Sequence, residues 1–199
     1  MTAAHHASGS DRLAEVAATL AGRADAEIIV NIQGDEPLIS PRTVERAIDE
    51  IVKNTDAQVV TSCEPIINVA DVLSADVVKV VLDGDGRAIY FSRAPIPFPR
   101  DLARARGSLA AALESDAAQL KSFRKHTGLY VYRRLFLLEY ATWPTSPLER
   151  IESLEQLRIL EHGFCIRVIE TDEPSIGVDT LDDYERVKQI IEAEHGTSV

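Results

Sequence analysis

The chain has 199 residues, of which 45% are apolar, and a formal net charge of −11. This length suffices for one domain with its own core, and the acidic balance argues against non-specific nucleic-acid binding while still allowing a nucleotide bound together with a metal ion. No apolar run is long enough to span a bilayer and the first twelve residues lack a signal-peptide pattern, so we expect no membrane partner.

The first predicted element is a helix that follows the small-residue segment HHASGSDR at residues 5–12. Ser8 or Ser10 can cap this helix, and Gly22 is placed to end it. Its apolar positions keep helical spacing and are Leu13, Val16, Ala17 and Leu20. A Ser8–Gly9–Ser10 loop at a helix N-terminus could also offer N–H groups to a polar ligand, and the choice between capping and binding stays open.

The segment EIIVNIQGDEP at residues 27–37 combines a strand with an acidic turn. The apolar run Ile28–Val30 predicts a fully buried parallel strand, and Gly34–Pro37 predicts the turn that ends it. Because ligands bind outside the carboxyl ends of strands in open α/β sheets, Asp35 and Glu36 are candidate functional acids; an ordinary polar turn is an equally good interpretation. A helix from Ser40–Pro41 and a strand over residues 57–63 would complete a β-α-β unit.

The middle of the chain predicts a β-hairpin, from two apolar runs at residues 77–82 and 88–92 that flank DGDG. Residues 94–99 are too rich in proline for regular structure. The Ala-rich and charged residues 102–121 predict a surface helix or mobile loop without chemistry.

Residues 123–133, FRKHTGLYVYR, predict a strand on which His126, Gly128, Tyr130 and Tyr132 share one face. A lone histidine is more often a satisfied core residue than a ligand. His126 and Tyr130 with Gly128 leaving room between them nevertheless suit the recognition of a polyol.

The segment Ser146–Glu149 has the form of a capping box, and the helix that it starts is predicted to run to about His162. Leu148, Ile151, Glu155 and Ile159 would lie on one stripe of this helix. Glu155 would therefore contact another protein group or a ligand, unless the stripe is partly exposed.

A strand over residues 164–169 and a final helix complete the predicted elements. Thr180 and Asp183 form a second capping box for that helix, and Asp179 directly precedes it, as either an ordinary pre-cap aspartate or a functional acid. The cysteines, Cys63 and Cys165, are predicted to be buried thiols in a reducing compartment.

Seven segments, in order and spanning nearly all of residues 1–191, resemble the CMP-Kdo synthetase family, the 3-deoxy-manno-octulosonate cytidylyltransferases. They are HHASGSDRLAEV, VNIQGDEPLI, ADVVKVV, YFSRAPIP, HTGLYVYR, WPTSPLERIESLEQLRILEHG and GVDTLDDYERV. The related CMP-sialate synthetases lack the SPLE-x-IE-x-LEQLR and YFSR-x-PIP segments and rank second.

The resemblance implies an α/β fold with a Rossmann-like, mostly parallel sheet of the sugar nucleotidyltransferase type, with an inserted hairpin or dimerisation segment. It implies a single domain over residues 1–199 that works as a cytoplasmic homodimer. CTP and Kdo would give CMP-Kdo and pyrophosphate, with Mg²⁺ as cofactor, for lipopolysaccharide biosynthesis.

The resemblance also implies roles for individual residues. Asp35 and Asp179 match the positions that hold magnesium and support catalysis. Cytidine-binding positions are matched by Ser8, Gly9, Ser10 and Gln33, with Ser10 standing where the family has threonine. The sugar pocket is matched by Arg93, His126, Tyr130, Glu155 and Gln156, with Arg93 at the Kdo carboxylate.

Family members begin with two βα units, roughly 60–70 residues, that include a basic triphosphate-binding loop. We expect both units to be absent, so that the chain is N-terminally truncated, exposes an apolar strand edge and is marginally stable. Two alternatives stay open: a catalytically incomplete sugar-binding or dimer-forming remnant, and a cytidylyltransferase for a related sugar acid such as 8-amino-Kdo or sialic acid.

Overall fold

The computed structural model describes residues 9–19, 27–173, 175, 177–178 and 180–196. The predictions made for Ser8, Leu20, Gly22 and Asp179 lie outside these residues. No helix in this part of the chain is long and apolar enough to cross a membrane.

Helices and strands alternate through most of the chain. The helices are α1 (Gly9–Thr19), α2 (Pro41–Lys53), α3 (Val69–Leu73), α4 (Arg100–Arg106), α5 (Leu109–Ser115), α6 (Arg134–Tyr140), α7 (Pro147–Glu152), α8 (Gln156–Glu161) and α9 (Leu181–Gly196), with a 3₁₀ turn over Ala117–Ser122. The strands are β1 (Ile28–Ile32), β2 (Val59–Pro65), β3 (Lys79–Leu82), β4 (Ala88–Ser92), β5 (Arg124–Arg133) and β6 (Ile166–Glu170).

The six strands form one sheet in the order β4-β3-β5-β2-β6, with β1 paired to the C-terminal half of β5. Strands β1, β2, β3 and β6 run in one direction, and β5 and β4 run in the other. The expected α/β fold is confirmed, and most of its strands are parallel in direction. Because β5 inserts among them, only β2 and β6 form a parallel ladder in the part of the chain described.

The prediction of a fully buried parallel strand at Ile28–Val30 was wrong. Strand β1 pairs with β5 in antiparallel register, from Ile28 opposite Arg133 to Ile32 opposite Leu129. Of the first three residues only Ile29 is buried, because the outer edge of β1 forms no ladder with any other described residue.

The helix predicted from Ser146 to His162 is instead two helices, α7 and α8. The predicted capping box is present: Glu149 accepts a hydrogen bond from the Ser146 N–H at 3.0 Å. Ser153 then adopts a left-handed φ of 54°, which ends α7. The two helices are held together by the buried pair of Arg158 and Glu149, joined by a 2.7 Å hydrogen bond from Nε.

The break removes the predicted apolar stripe, since Ile151 is 79% exposed. Main-chain carbonyls beside the break accept hydrogen bonds from side chains outside the two helices. The Arg93 Nε donates to the Glu152 carbonyl at 2.8 Å. The Tyr140 hydroxyl donates at 2.9 Å to the Glu155 carbonyl, which also accepts the Arg158 N–H at 3.2 Å.

Helices cover the sheet on both faces. On one face α2 packs over aliphatic residues of β2, β5 and β6, while α1, α6 and α8 cover the aromatic residues of the other face. Residues 102–121, expected to be a surface helix or mobile loop, form short helices whose Leu113 and Leu120 are buried in a third cluster with Phe123.

Candidate active site

The acidic turn at the end of β1 is fixed by backbone hydrogen bonds to β5 and to the C-terminal segment. The Gln33 N–H donates to the Gly128 carbonyl at 3.2 Å, and the Val178 N–H donates to the Asp35 carbonyl at 2.8 Å. The Asp35 side chain is exposed and has no hydrogen bond or ion pair with any described residue. The turn therefore contacts Val178 of the C-terminal segment.

The Glu36 side chain, unlike that of Asp35, is hydrogen-bonded to other described residues. Its carboxylate accepts hydrogen bonds from the Gly128 N–H at 3.3 Å and from the Ser175 hydroxyl. Ser175 is further held by Glu64, which accepts its N–H at 3.1 Å and forms an ion pair with Lys125. Glu36 therefore joins the turn to the C-terminal segment, and of the two acids only Asp35 lacks a side-chain partner among the described residues.

A group of side chains lies on one face of β5, as predicted. The rings of His126 and Tyr130 are 5.3 Å apart, and the Phe91 ring meets His126 edge-on at 5.1 Å. Gly128 does leave room between them, but the Gln33 side chain occupies that room: a Cβ atom at Gly128 would lie 2.9 Å from Gln33 Oε1. Gln33, predicted to bind the nucleotide, thus lies beside two residues predicted to bind the sugar.

The environment of His126 keeps its ring neutral. Burial among the rings of Phe91 and Tyr130 lowers the pKa of His126 from 6.5 to about 3, because desolvation disfavours the charged imidazolium. Burial likewise raises the pKa of Tyr130 well above 10. Both side chains therefore act as neutral hydrogen-bonding groups at physiological pH.

Arg93 is held at the break between α7 and α8. Its guanidinium donates to the carbonyls of Glu152, at 2.8 Å from Nε, and Ala75, at 2.9 Å from Nη1. A longer contact of 3.5 Å joins Nη2 to the Ser153 carbonyl. An arginine has five N–H donors, so two remain for a carboxylate after these three contacts.

Glu155 is the site residue whose surroundings differ most from the sequence prediction. Its carboxylate accepts hydrogen bonds from the Ser10 hydroxyl at 2.5 Å and from the N–H groups of Gly9 and Ser10 at 3.3 and 3.4 Å. Of the alternatives left open for Glu155, the protein-group contact is therefore present. A negative charge at the first N–H groups of α1 is favourable, so Glu155 caps this helix from 145 residues away.

This arrangement also corrects the capping role predicted for Ser10. Ser10 lies inside α1, as its second residue, and is buried. Its hydroxyl bonds Glu155 instead of the first turn of its own helix. Gln156 is buried at the start of α8, next to Glu155.

The structure thus brings Gln33, Arg93, His126, Tyr130, Glu155, Gln156, Gly9 and Ser10 to one face of the sheet, with Asp35 at its edge. Four residues of this region were missed in the sequence: Thr61, Glu64, Lys125 and Ser175. Thr61 contacts His126, and Ser175 contacts Glu36. Glu64 and Lys125 in turn contact Ser175, and the two members of every one of these pairs are more than 45 positions apart in the sequence. No local pattern could have identified them.

A shallow depression of about 440 Å³ lies elsewhere, beside α2. None of the predicted site residues lines it; its residues are Arg42, Arg46, Pro65, Glu170, Thr171 and Asp172. Both arginines already have partners, since Arg46 bonds the Glu170 carbonyl and Arg42 pairs with Glu173.

Comparison with known proteins identifies close relatives. The model of the cytidylyltransferase family matches residues 1–173. The 3-deoxy-manno-octulosonate cytidylyltransferase of Syntrophotalea carbinolica is 50% identical over 188 residues, which are 94% of this chain and 71% of the relative. That of Solibacter usitatus is 49% identical over 193 residues, 97% of this chain and 69% of the relative.

A solved structure agrees with these sequence matches. CMP:2-keto-3-deoxy-manno-octonic acid synthetase complexed with CTP superposes with a TM-score of 0.81 at 37% identity, over 98% of this chain and 72% of that chain. The match covers nearly all of the sequence, so it includes the strands and helices that surround the site face.

Proposed function

This chain belongs to the cytidylyltransferase family, and on that premise we propose that it transfers the cytidylyl group of CTP to 3-deoxy-manno-octulosonate (Kdo) and releases pyrophosphate. The observation that carries the proposal is the convergence of Gln33, Arg93, His126 and Tyr130 on one face of the sheet, next to the exposed Asp35. Neutral hydrogen-bonding groups and a cation are the chemistry that a sugar acid requires.

Sugar recognition would use groups of complementary charge and polarity. The two free N–H donors of Arg93 suit the Kdo carboxylate, since guanidinium and carboxylate form charge-assisted hydrogen bonds. His126 and Tyr130, both neutral, suit hydroxyl groups that donate or accept. Three carbonyl contacts hold the Arg93 side chain in place before the ligand arrives, which reduces the entropy lost on binding.

The donor set fits Mg²⁺. Among the described residues no three histidine, cysteine or acidic side chains converge as a metal cage. Mg²⁺ does not need one, because it is commonly bound by one or two carboxylates together with substrate phosphates. We propose that Asp35 and Asp179 are those carboxylates; the Asp35 side chain, which has no partner among the described residues, and the 2.8 Å hydrogen bond from the Val178 N–H to the Asp35 carbonyl support this assignment. Mg²⁺ would neutralise the phosphates as pyrophosphate leaves.

In the proposed reaction a Kdo hydroxyl attacks the α-phosphorus of CTP. A phosphorus–oxygen bond forms to the sugar, the bond to pyrophosphate breaks, and the hydroxyl proton is released. The contribution of this chain is to position both substrates, which is the main protein contribution to phosphoryl transfer.

The test is pyrophosphate release by the purified chain with CTP, Kdo and Mg²⁺, together with the variant Asp35→Asn. We expect release that needs all three components and falls at least about a hundredfold in the variant. Calorimetric titration with Mg²⁺ in the presence of CTP should show weaker binding by the variant. Asp49→Asn, at an exposed acid on α2 whose only partner among the described residues is Lys53, is the matched control and should behave as wild type.

Three outcomes would contradict parts of the proposal. A near-normal rate in Asp35→Asn would reject the metal assignment. If the folded wild-type chain releases no pyrophosphate, the alternative of a catalytically incomplete, sugar-binding remnant would be favoured. Faster turnover with 8-amino-Kdo or sialic acid than with Kdo would show that the substrate is a related sugar acid and not Kdo.

Two further properties belong to the proposal. We expect a homodimer, to be checked by light scattering coupled to size-exclusion chromatography. We also expect the enzyme to act in the cytoplasm, where its free cysteines Cys63 and Cys165 would stay reduced.

A further inference from the structure

A β-bulge in β5 takes one backbone carbonyl out of the backbone ladder between β5 and β2. Strand β2 pairs Thr61 with Tyr130 but the next residue, Ser62, with Thr127. Gly128 and Leu129 are therefore skipped in the register with β2. The Leu129 carbonyl is bonded instead by the Thr61 hydroxyl, at 2.6 Å.

The Thr61 hydroxyl has a second contact, at 2.9 Å from His126 Nε2. A hydroxyl has one proton to donate, whereas a carbonyl can only accept. The Thr61 hydroxyl therefore donates its proton to the Leu129 carbonyl. In the contact with His126 the Nε2–H group is the donor and the Thr61 oxygen is the acceptor. Thr61 is fully buried, so water does not compete for its proton, and no other described acceptor contacts the hydroxyl.

A neutral imidazole has one N–H group, and here Nε2 holds it. The rings of Phe91 and Tyr130 pack against His126, and no described carboxylate contacts it, so nothing stabilises a second proton. The Nδ1 atom is left as a hydrogen-bond acceptor, and it has no hydrogen-bond partner among the described residues.

We infer that Thr61 is a positioning residue that holds His126 in its Nε2–H tautomer, so that Nδ1 accepts a hydrogen bond from a hydroxyl of the sugar acid. The tautomer part of this inference stands on the hydrogen bonds alone, and the ligand part rests on the proposed function. Without the Thr61 hydroxyl, the proton of His126 could lie on either nitrogen. In the Nδ1–H form, Nδ1 is a donor and can no longer accept a hydrogen bond from the sugar hydroxyl.

The direct test of the tautomer is nitrogen NMR of the histidine rings in the full chain at pH 7. The chain has five histidines, and the variant His126→Gln identifies the signals of His126 by their loss. We expect the wild type and Thr61→Ser to show a protonated Nε2 and an unprotonated Nδ1, and Thr61→Val to show a mixture of tautomers. A wild-type ring protonated on Nδ1, or on both nitrogens, would overturn the inference.

The ligand part is tested by adding Kdo and by steady-state kinetics. Kdo should shift the Nδ1 resonance of the wild type, a measurement that does not depend on turnover. Thr61→Val should raise KM for Kdo about threefold to tenfold, the loss expected for one hydrogen bond, with kcat and KM for CTP little changed. Thr61→Ser should restore KM for Kdo.

The two proposals can fail separately. An Nδ1 resonance that Kdo leaves unchanged, or a wild-type KM in Thr61→Val, would overturn the ligand role of His126, while pyrophosphate release would still report the proposed function. If Thr61→Val does not fold, because the Leu129 carbonyl loses its donor, the wild-type and Thr61→Ser spectra still decide the tautomer.

Discussion

The two faces of the sheet are built from different interactions. The face under α2, which we call the aliphatic face, consists of packed apolar side chains: Ala47, Ile51, Ala57, Val60, Leu129, Val131 and Ile169. The opposite face, the site face, combines aromatic rings with partly buried hydrogen bonds among Thr61, His126, Tyr140, Ser10 and Glu155.

Because of this difference, the aliphatic face contributes mainly to the stability of the fold, and the site face mainly to the specificity of the site. Apolar burial has no preferred direction, so the aliphatic face stabilises the fold without orienting any group. Hydrogen bonds are directional and buried polar groups are costly to leave unpaired, so the site face fixes where each donor and acceptor points. Residues such as Leu129 and Tyr130, adjacent on β5, belong to opposite faces because strand side chains alternate.

The largest expected effect comes from the aliphatic face. Ile51 is fully buried there, and Ile51→Ala should lower the free energy of unfolding by about 2–5 kcal/mol because it leaves a cavity under α2. KM for both substrates should stay at wild-type values in the protein that remains folded. Urea unfolding and pyrophosphate-release kinetics measure the two quantities.

Val52, the next residue, is 56% exposed, and Val52→Ala is therefore the matched control. A change in KM in Ile51→Ala without one in Val52→Ala would show that the two faces are coupled and would contradict the separation.

The second effect is a pH dependence that arises on the site face. Below about pH 6.5 His126 is protonated in the unfolded chain but neutral in the folded protein, whose His126 has a pKa of about 3. The unfolded state then binds more protons, so the stability present above pH 6.5 is lost as the pH falls, by at most about 1.4 kcal/mol per pH unit. Cys63 does not titrate in this range, because the ordinary pKa of a thiol already lies above it and burial raises the pKa of Cys63 further, to about 12.

The measurement compares urea unfolding of the wild type and His126→Gln at several values between pH 7 and pH 4.5. The difference between the two curves isolates His126 from the carboxylates, which titrate in both proteins. Parallel curves would show that the folded protein tolerates a charged His126 between the rings of Phe91 and Tyr130, contrary to the expected desolvation.

The smallest effect comes from the polar contact between α1 and α8. Ser10→Ala removes the hydroxyl that bonds Glu155 and should cost about 1 kcal/mol, as for the loss of a helix cap or a single hydrogen bond. Ser10→Thr keeps the hydroxyl and should stay close to wild type. An unchanged urea midpoint in Ser10→Ala would mean that the two N–H groups of Gly9 and Ser10 alone hold Glu155.

The elements predicted best from the sequence are those whose signals are local. The strand predicted at residues 123–133 forms over Arg124–Arg133, the hairpin around DGDG is present, and both capping boxes form. His126 and Tyr130 share a face, because the two-residue period of a strand is a property of the backbone. These features depend on residues within a few positions of one another.

The errors have a common cause, which is a partner far away in the sequence. Helix propensity continues through Ser153, but tertiary contacts of Arg93 and Tyr140 favour a break there. Glu155 was placed on an apolar stripe because its partner, Ser10, lies 145 residues earlier.

The sequence by itself determined the α/β elements and the family, because turn chemistry, periodicity and motif order depend on residues that are close together in the chain, and the family resemblance predicted the site residues. Only the tertiary structure decided that β5 enters between β1 and β2, that Glu36 but not Asp35 has a partner among the described residues, and that Thr61 contacts His126. Those outcomes depend on strand register and on competition for each hydrogen-bond donor and acceptor, and both are settled only when distant segments pack together.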